Sequence, residues 1–423
     1  MKIFFMKFTY LLITFFIIIT SLNCSFADDY LEDNTTVDVS SEISETIAQT
    51  TDSLEASSIN SRSCIIYDRN SHMILYGKNE TKQVKMASTT KIMTSLVIIE
   101  NCDLSETIEV SKKAAGTGGS RLGLKAEDKI TIKDLLYGLM LCSGNDAAVA
   151  LAEYAGGDIQ GFADLMNKKA SELGLTNTHY ESPHGLDSDG HYTTAYELAL
   201  LSDYALKNET FAKIVGTKNY TVTINGYPKN LSNTNELLGY LNGVYGVKTG
   251  FTNGANRCLV SACKRDEMDI ICVVLGADTK KFRTQDSIKL IEYAFKNFTY
   301  INANQIATKN FENWKDENLK YIDINKSSSA SFDFEIETCE NPILSVYKND
   351  IDNIETSISI NTNLEAPISS NTVIGNLTLS LNNQALITLN IINTNDINRK
   401  NISYYLNYFF SNYSNILEQV LDY

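Results

Sequence analysis

Two residues that can do chemistry together, Ser88 and Lys91, stand three apart in Ser88-Thr89-Thr90-Lys91, ahead of the apolar run Ile92, Met93, Leu96, Val97, Ile98 and Ile99. That run predicts a buried helix with Ser88 in its first turn, and residues three apart share one helix face. A serine hydroxyl is a weak nucleophile until a base takes its proton. A neighbouring amine serves when burial or nearby positive charge lowers its pKa. The helix N-terminus adds partial positive charge where an oxyanion would form. The spacing alone is not selective, because Ser261 with Lys264 and Ser345 with Lys348 repeat it, and capping is the ordinary task of such a serine.

Two further triplets change the weight of that pair. Ser143-Gly144-Asn145 sits between a helix expected from Thr131 and another starting at Asp146, where Gly144 lets a loop tip project its neighbours. Lys248-Thr249-Gly250 ends a strand-like run from Val244, and an edge strand there offers backbone donors, a hydroxyl and a cation in one line. Each triplet occurs once. Taken singly, the first reads as an ordinary helix connection and the second as a solvated strand end.

The elements that must position these residues are legible nearby. Runs at 63–67 and 72–76 form a hairpin around Asp68-Arg69-Asn70-Ser71, just before the Ser88 helix. An amphipathic helix over 158–173 stops at Gly174, and Thr194 with Glu197 forms a capping box for a helix to about Leu206. Segments 257–263 and 269–275 alternate as a second hairpin. The loop between the two helices carries His179, His184, His191, Asp187 and Asp189, but their spacing matches no metal signature, so neither metal nor cofactor is expected.

The chain has 423 residues, enough for two or three domains. Residues 1–27 carry Lys2 and Lys7, an apolar stretch and Ser25-Phe26-Ala27, which reads as a secretory signal too short to be a normal membrane span. The formal charge is −15, and nine acids without a lysine or arginine lie in 28–57. Segment 28–58 reads as an acidic flexible tether, and the acidic balance excludes nucleic acid as a partner. The chain has eight cysteines, one in the signal, and the odd remainder is no disulfide framework. From Ala307 short alternating segments predict a small all-β domain over 305–393 without a long helical period. The tail, 399–423, places Ile402, Leu406, Phe409, Tyr413, Ile416, Leu417, Val420 and Leu421 at helical spacing, a stripe suited to a membrane interface or to docking on the protein itself.

In order and context, the three motifs together resemble the penicillin-recognising serine enzymes. Within that group the chain is similar to the serine-type D-alanyl-D-alanine carboxypeptidases, the low-molecular-mass penicillin-binding proteins, through 86–94, 141–152, 183–200 and 246–262. The resemblance implies an α/β (α+β) β-lactamase/transpeptidase-like domain over 59–298, with an antiparallel sheet flanked by helices. It implies that Ser88 attacks the peptide bond between two D-alanines of a peptidoglycan stem, with Lys91 as base and penicillins as covalent inhibitors. Ser143 and Asn145 would complete the proton relay and hold the substrate backbone. Lys248 would keep the potential positive, Gly250 would let the substrate approach, and the N–H groups of Ser88 and Phe251 would form the oxyanion hole. Thr249 and Arg283 match positions that bind the terminal carboxylate. One departure is Ala255-Asn256-Arg257, where the family commonly has Ala-Gly-Arg. Cys142 beside Ser143 reads as a buried spacer. A β-lactamase and a catalytically silent wall-binding protein are the alternatives; no clear acid stands ready to activate the deacylating water that a β-lactamase needs.

Overall fold

The computed structural model describes residues 43–47, 53–329, 332–361 and 363–421. The expected signal peptide and most of the expected tether lie outside the described residues. Where the tether is described it is partly ordered: 43–47 is helical with Ile43 and Thr46 buried, and Ala56–Ser58 is a 3-10 turn. The chain divides into two compact units, Met1–Asn297 and Phe298–Tyr423.

In the first unit, strands β1 (Ser63–Asp68) and β2 (Ile74–Lys78) form the expected hairpin. A 3-10 turn, Ala87–Thr90, then leads into helix α1 (Lys91–Asn101). Helices α2 (Ile132–Leu141), α3 (Asn145–Gly156), α4 (Ile159–Glu172) and α5 (Ala195–Leu206) follow. Strands β3 (Val244–Thr252), β4 (Asn256–Arg265) and β5 (Met268–Ala277) and helix α6 (Lys280–Asn297) complete the unit. The five strands form one antiparallel sheet in the order β2-β1-β5-β4-β3, which leaves β3 at an edge.

Local sequence explains most boundaries. Thr131 caps α2 by accepting the Asp134 N–H at 3.1 Å, and Asp158 caps α4 through Gly161 at 2.7 Å. Gly174, at φ +71°, ends the region of α4 in the left-handed conformation that glycine adopts without cost. The capping box at α5 is half made. Thr194 accepts the Glu197 N–H at 3.0 Å, but the Glu197 carboxylate turns away to take the Asn177 N–H and the Thr178 hydroxyl. Strand β5 is buried on both faces, and from Ile270 to Leu275 it is a continuous apolar run where alternation was expected. It sends Ile271, Val273 and Leu275 into the main core with residues of α1, α2, α3 and α5, while α6 packs on the sheet. Helix α1 is buried from Lys91 to Ile98, which requires the polar side chains it carries to find partners inside.

Two expectations about β3 and the second unit change. Lys248-Thr249-Gly250 does not end the edge strand; pairing with β4 continues to Thr252 opposite Asn256. In the second unit, the four-stranded antiparallel sheet of β6 (Phe334–Ile336), β7 (Ile354–Ile360), β8 (Val373–Leu381) and β9 (Gln384–Asn393) is present in the order β6-β9-β8-β7. Its entrance is helical: α7 (Ala303–Asn318) occupies residues assigned from sequence to the β stretch. The fully buried positions of the helix are Ala303, Ala307 and Phe311, spaced by four, two of them small, with the half-buried Ile306 and Trp314 packed beside them. Helix α8 (Ile402–Leu421) closes the chain, and over 402–413 every side chain is exposed except the half-buried Tyr404. Docking of that stretch on the protein's own surface is therefore not observed.

Arg69, at the β1–β2 turn, ties this architecture together. Its guanidinium contacts Asp203 of α5 at 2.8 Å, Asp269 of β5 at 2.7 Å and the Tyr245 hydroxyl of β3 at 2.7 Å. Removing one partner of a buried ion pair costs about 3–5 kcal/mol, and here Asp203 and Asp269 would lose the cation they share. Arg69→Ala should therefore lower the urea midpoint by that equivalent, whereas Lys168→Ala, from the exposed 4.0 Å pair with Glu172, should move it little.

Candidate active site

Lys91 is fully buried, and three segments meet at its amine. Nζ lies 2.8 Å from Ser88 Oγ, 2.7 Å from Asn145 Oδ1 and 3.0 Å from the His184 carbonyl oxygen. A neutral amine has two N–H groups and one lone pair. In the neutral form the two carbonyl-type oxygens can take the N–H groups, which would leave the lone pair for the hydroxyl of Ser88. Neither of these two acceptors carries a formal charge.

Each of the three segments is held in turn. The Ser88 turn is fixed by Thr89 and Thr90, whose hydroxyls donate to the carbonyls of Met86 and Ala87 at 2.6 and 2.7 Å. Ala87 adopts φ +48°, a left-handed conformation that costs a non-glycine residue energy and is met at functional turns. Asn145 is aimed by its own amide: Nδ2 donates to the Gly118 carbonyl at 2.8 Å, which turns Oδ1 toward Lys91. Asp146, completely buried, accepts the N–H groups of Leu122, Gly123 and Leu124 at 2.7–2.9 Å and so fastens loop 118–124 to the start of α3. The 182–187 loop is stitched on both sides. Thr94 donates to the Pro183 carbonyl, while Asp187 accepts from the Thr252 hydroxyl and the Gly254 N–H, each at 2.8 Å.

The histidines of that loop act as structure. His191 Nδ1 accepts the Glu181 N–H, so its other nitrogen donates to the Thr90 hydroxyl at 2.8 Å. Burial pushes His191 down to about 4, and burial together with Lys91 pushes His184 down to about 3, so both rings are neutral at physiological pH. What His184 gives the site is its carbonyl oxygen, which residue identity cannot reveal.

Strand β3 forms the opposite wall. A side-chain carbon at Gly250 would stand 3.1 Å from the Ser88 amide nitrogen, so the strand runs directly against the Ser88 turn. Phe251 follows it, with the Arg257 guanidinium 3.8 Å over its ring. Asn256, in the position where the family commonly carries glycine, takes φ +59°, and asparagine is one of the few residues that tolerates that conformation. The turn is kept by other means.

Lys248 is buried and donates to the Thr249 carbonyl at 2.9 Å rather than to Ser143. Burial, reinforced by Arg283 and partly opposed by Cys142, lowers its pKa to about 7. Ser143 is buried at φ +60°, and Asn145 of the same triplet accepts a hydrogen bond from Lys91. Cys142 donates its thiol to the Gly138 carbonyl, and burial raises its pKa to about 11, so it is a protonated spacer. Thr249 shares a 2.7 Å hydrogen bond with the Thr234 hydroxyl, and Arg283 is buried in an ion pair with Glu236. Neither Thr234 nor Glu236 stands out in the sequence, since each lies in a polar connecting loop without a motif.

Residues 48–279 match the D-alanyl-D-alanine carboxypeptidase family, peptidase S11. The chain belongs to that family. Residues 314–399 match the penicillin-binding protein 5 C-terminal domain. The D-alanyl-D-alanine carboxypeptidase DacF of Bacillus subtilis is 35% identical over 334 residues, 77% of this chain and 82% of the relative. The D-alanyl-D-alanine carboxypeptidase of Streptomyces sp. K15 is 38% identical over 239 residues, 52% of this chain and 82% of the relative. Among solved structures, the carboxypeptidase DacD of Francisella tularensis superposes with a TM-score of 0.69 at 27% identity, covering 83% of this chain and 96% of the other. Penicillin-binding protein 5 of Haemophilus influenzae gives 0.65 at 26% identity, with 82% and 100% covered. The expected mixed α/β catalytic fold and β-rich C-terminal domain agree with these relatives.

Gly185 tests the geometry. It has φ +85°, and a side-chain carbon there would stand 2.0 Å from the Ala87 carbonyl oxygen, next to the nucleophile candidate. Gly185→Ala should displace the Ser88 turn and slow acylation at Ser88 by about 100-fold, the loss typical of a 1 Å misplacement. Stopped-flow measurement of acylation, alongside a melting curve that shows the variant folded, checks this.

Proposed function

We propose that this enzyme removes the terminal D-alanine from peptidoglycan stem peptides through an acyl-enzyme on Ser88. The observation that carries the reading is the Ser88–Lys91–Asn145 contact set, in which a buried amine stands within hydrogen-bond distance of a serine hydroxyl. Lys91 takes the Ser88 proton as Oγ attacks the carbonyl carbon between the two D-alanines. The oxyanion is received by the N–H groups of Ser88 and Phe251. Protonation of the leaving amine through Lys91 and Ser143 releases D-alanine, and water then hydrolyses the ester. Asn145 holds both Lys91 and the substrate backbone. Lys248, Thr249 and Arg283 provide the positive, hydrogen-bonding end of the site for the terminal carboxylate, with Gly250 allowing close approach. Penicillins, which carry a strained amide and a carboxylate, acylate the same serine. The relatives named above are carboxypeptidases and penicillin-binding proteins, which favours this reading over a β-lactamase or a silent wall-binding protein.

An acyl-D-alanyl-D-alanine peptide should lose one D-alanine per turnover with the parent and none with Ser88→Ala; an unchanged rate in the variant sinks the assignment. The pH dependence has a defined sign. The folded-state pKa of Lys248 lies below the ordinary lysine value, near 7, so its cation is lost as pH rises through 7. The ratio kcat/KM, which reports the free enzyme, should therefore fall above about pH 7, and Lys248→Arg should remove that limb.

The reading places the enzyme in the cell envelope, delivered by the signal expected at 1–27. No described helix is long and apolar enough to cross a membrane. Helix α8 instead exposes Ile402, Tyr405, Leu406, Tyr408, Phe409, Phe410 and Tyr413, which suits lying in a membrane interface. No lysine or arginine occurs within α8. Flotation with neutral phosphatidylcholine vesicles should thus be lost on truncation after Arg399 and should depend little on salt; salt-sensitive binding would contradict an apolar anchor.

A further inference from the structure

The Arg283 guanidinium, expected from the family resemblance to meet the substrate's carboxylate, already has a carboxylate of its own. Arg283 is only 4% exposed, and its Nη2 pairs with Oε1 of Glu236, which also accepts the Thr284 hydroxyl. The pair is incomplete: Arg283 Nε and Glu236 Oε2 are both buried, and neither has a hydrogen-bond partner among the described residues. A guanidinium and a carboxylate that could meet through two parallel hydrogen bonds meet here through one. Burial pushes the Glu236 carboxyl up, but Arg283 and Thr284 outweigh it, so its pKa lies below the ordinary value and it is ionised.

Glu236 belongs to a segment built around the same end of the site. Two residues before it, Thr234 donates its N–H to the Leu141 carbonyl at 3.1 Å and shares its hydroxyl bond with Thr249. Between them, Asn235 donates to the Gly246 carbonyl at 2.9 Å and accepts the N–H of Leu237. One short segment thus holds Thr249 through Thr234 and Arg283 through Glu236, while Asn235 fastens it to β3. Both residues that the resemblance assigns to the carboxylate are held from this segment.

We infer that Glu236 is a positioning and specificity-determining residue, an internal carboxylate that holds Arg283 and offsets its charge beside Lys248, thereby setting how strongly the site draws the terminal carboxylate of a substrate. The inference rests on the carboxypeptidase reading and deepens it. With Glu236 in place, the site greets an anion with the charge of Lys248 and only part of that of Arg283. Without the Glu236 charge, Arg283 is uncompensated, which strengthens attraction for an anion and increases repulsion of the Lys248 cation. The titratable groups acting on Lys248 are the Cys142 thiol, from the loop after α2, and Arg283, from α6. Cys142 is protonated and stays neutral in the working range, which leaves Arg283 as the charge that Glu236 controls.

The test is Glu236→Gln, which keeps shape and a hydrogen-bond acceptor but removes the charge. At pH 6, KM for an acyl-D-alanyl-D-alanine peptide should fall by about three- to tenfold, the effect of one extra charge at this range in a partly screened site. KM for the same peptide carrying a C-terminal amide should not change. The alkaline limb of kcat/KM for the carboxylate substrate should move to lower pH. A purely structural role would instead reduce kcat for both peptides and leave the limb in place, and that result overturns the inference, as does an unchanged KM. If Glu236→Gln does not fold, Glu236→Asp decides: its shorter carboxylate withdraws from Arg283, and a smaller KM decrease confined to the carboxylate peptide supports the inference, whereas no decrease overturns it. Benzylpenicillin adducts of the parent and the variant separate the two layers. A parent without an adduct removes the catalytic reading itself; adducts on both with no KM difference between parent and variant remove only the role of Glu236.

Discussion

A lysine amine buried among neutral acceptors is the constraint on which the rest of the site depends. Burying an amine without partners costs several kcal/mol, and pairing it with a carboxylate would hold it protonated and useless as a base. The structure meets both conditions by giving Lys91 two uncharged oxygens, one from the Asn145 amide and one from the His184 backbone, with Ser88 as the third contact. Three segments far apart in sequence must therefore arrive together. Much of the fold around α1 serves that arrival: Asp146 clamping loop 118–124, Asp187 tying the histidine loop to the turn after β3, and Thr94 holding Pro183.

Backbone conformation shows where that convergence is tightest. Ala87 beside Ser88, Ser143 in the loop triplet and Asn256 at the turn beyond β3 all have positive φ without being glycine. Such residues persist when the surroundings over-determine them. Here the surroundings are visible: the Thr90 hydroxyl on the Ala87 carbonyl, the α2–α3 connection around Ser143, and the Asp187 contacts that pin 252–254. Strain near Ser88 is offset by hydrogen bonds made from neighbouring segments, and Gly185 and Gly250 approach that turn closely enough for a side chain there to press on it.

How much of this was legible in the sequence follows from what kind of signal each feature leaves. The order Ser-x-x-Lys, Ser-Gly-Asn, Lys-Thr-Gly marked Ser88, Lys91, Asn145 and Lys248 because motif residues are few and their contexts differ. Caps at Thr131, Asp158 and Thr194 were readable since capping is local. Features that depend on distant partners were not. The contribution of His184 is a carbonyl, the orientation of Asn145 depends on Gly118, and the Arg283–Glu236 pair joins two segments 47 residues apart. Helix α7 was missed because two of its three fully buried positions are alanines, which weaken the apolar period carried by Ile306, Phe311 and Trp314, and the continuation of β3 past Gly250 because pairing with β4, not composition, sets its end.

The proposed chemistry requires that Ser88, activated by Lys91, form a covalent acyl-enzyme. Intact-protein mass after incubation with benzylpenicillin, comparing the parent with Ser88→Ala, tests this most directly. The expected result is an increment of one penicillin on the parent and none on the variant. An adduct that survives in Ser88→Ala, or a parent that neither gains mass nor consumes the drug, would contradict it.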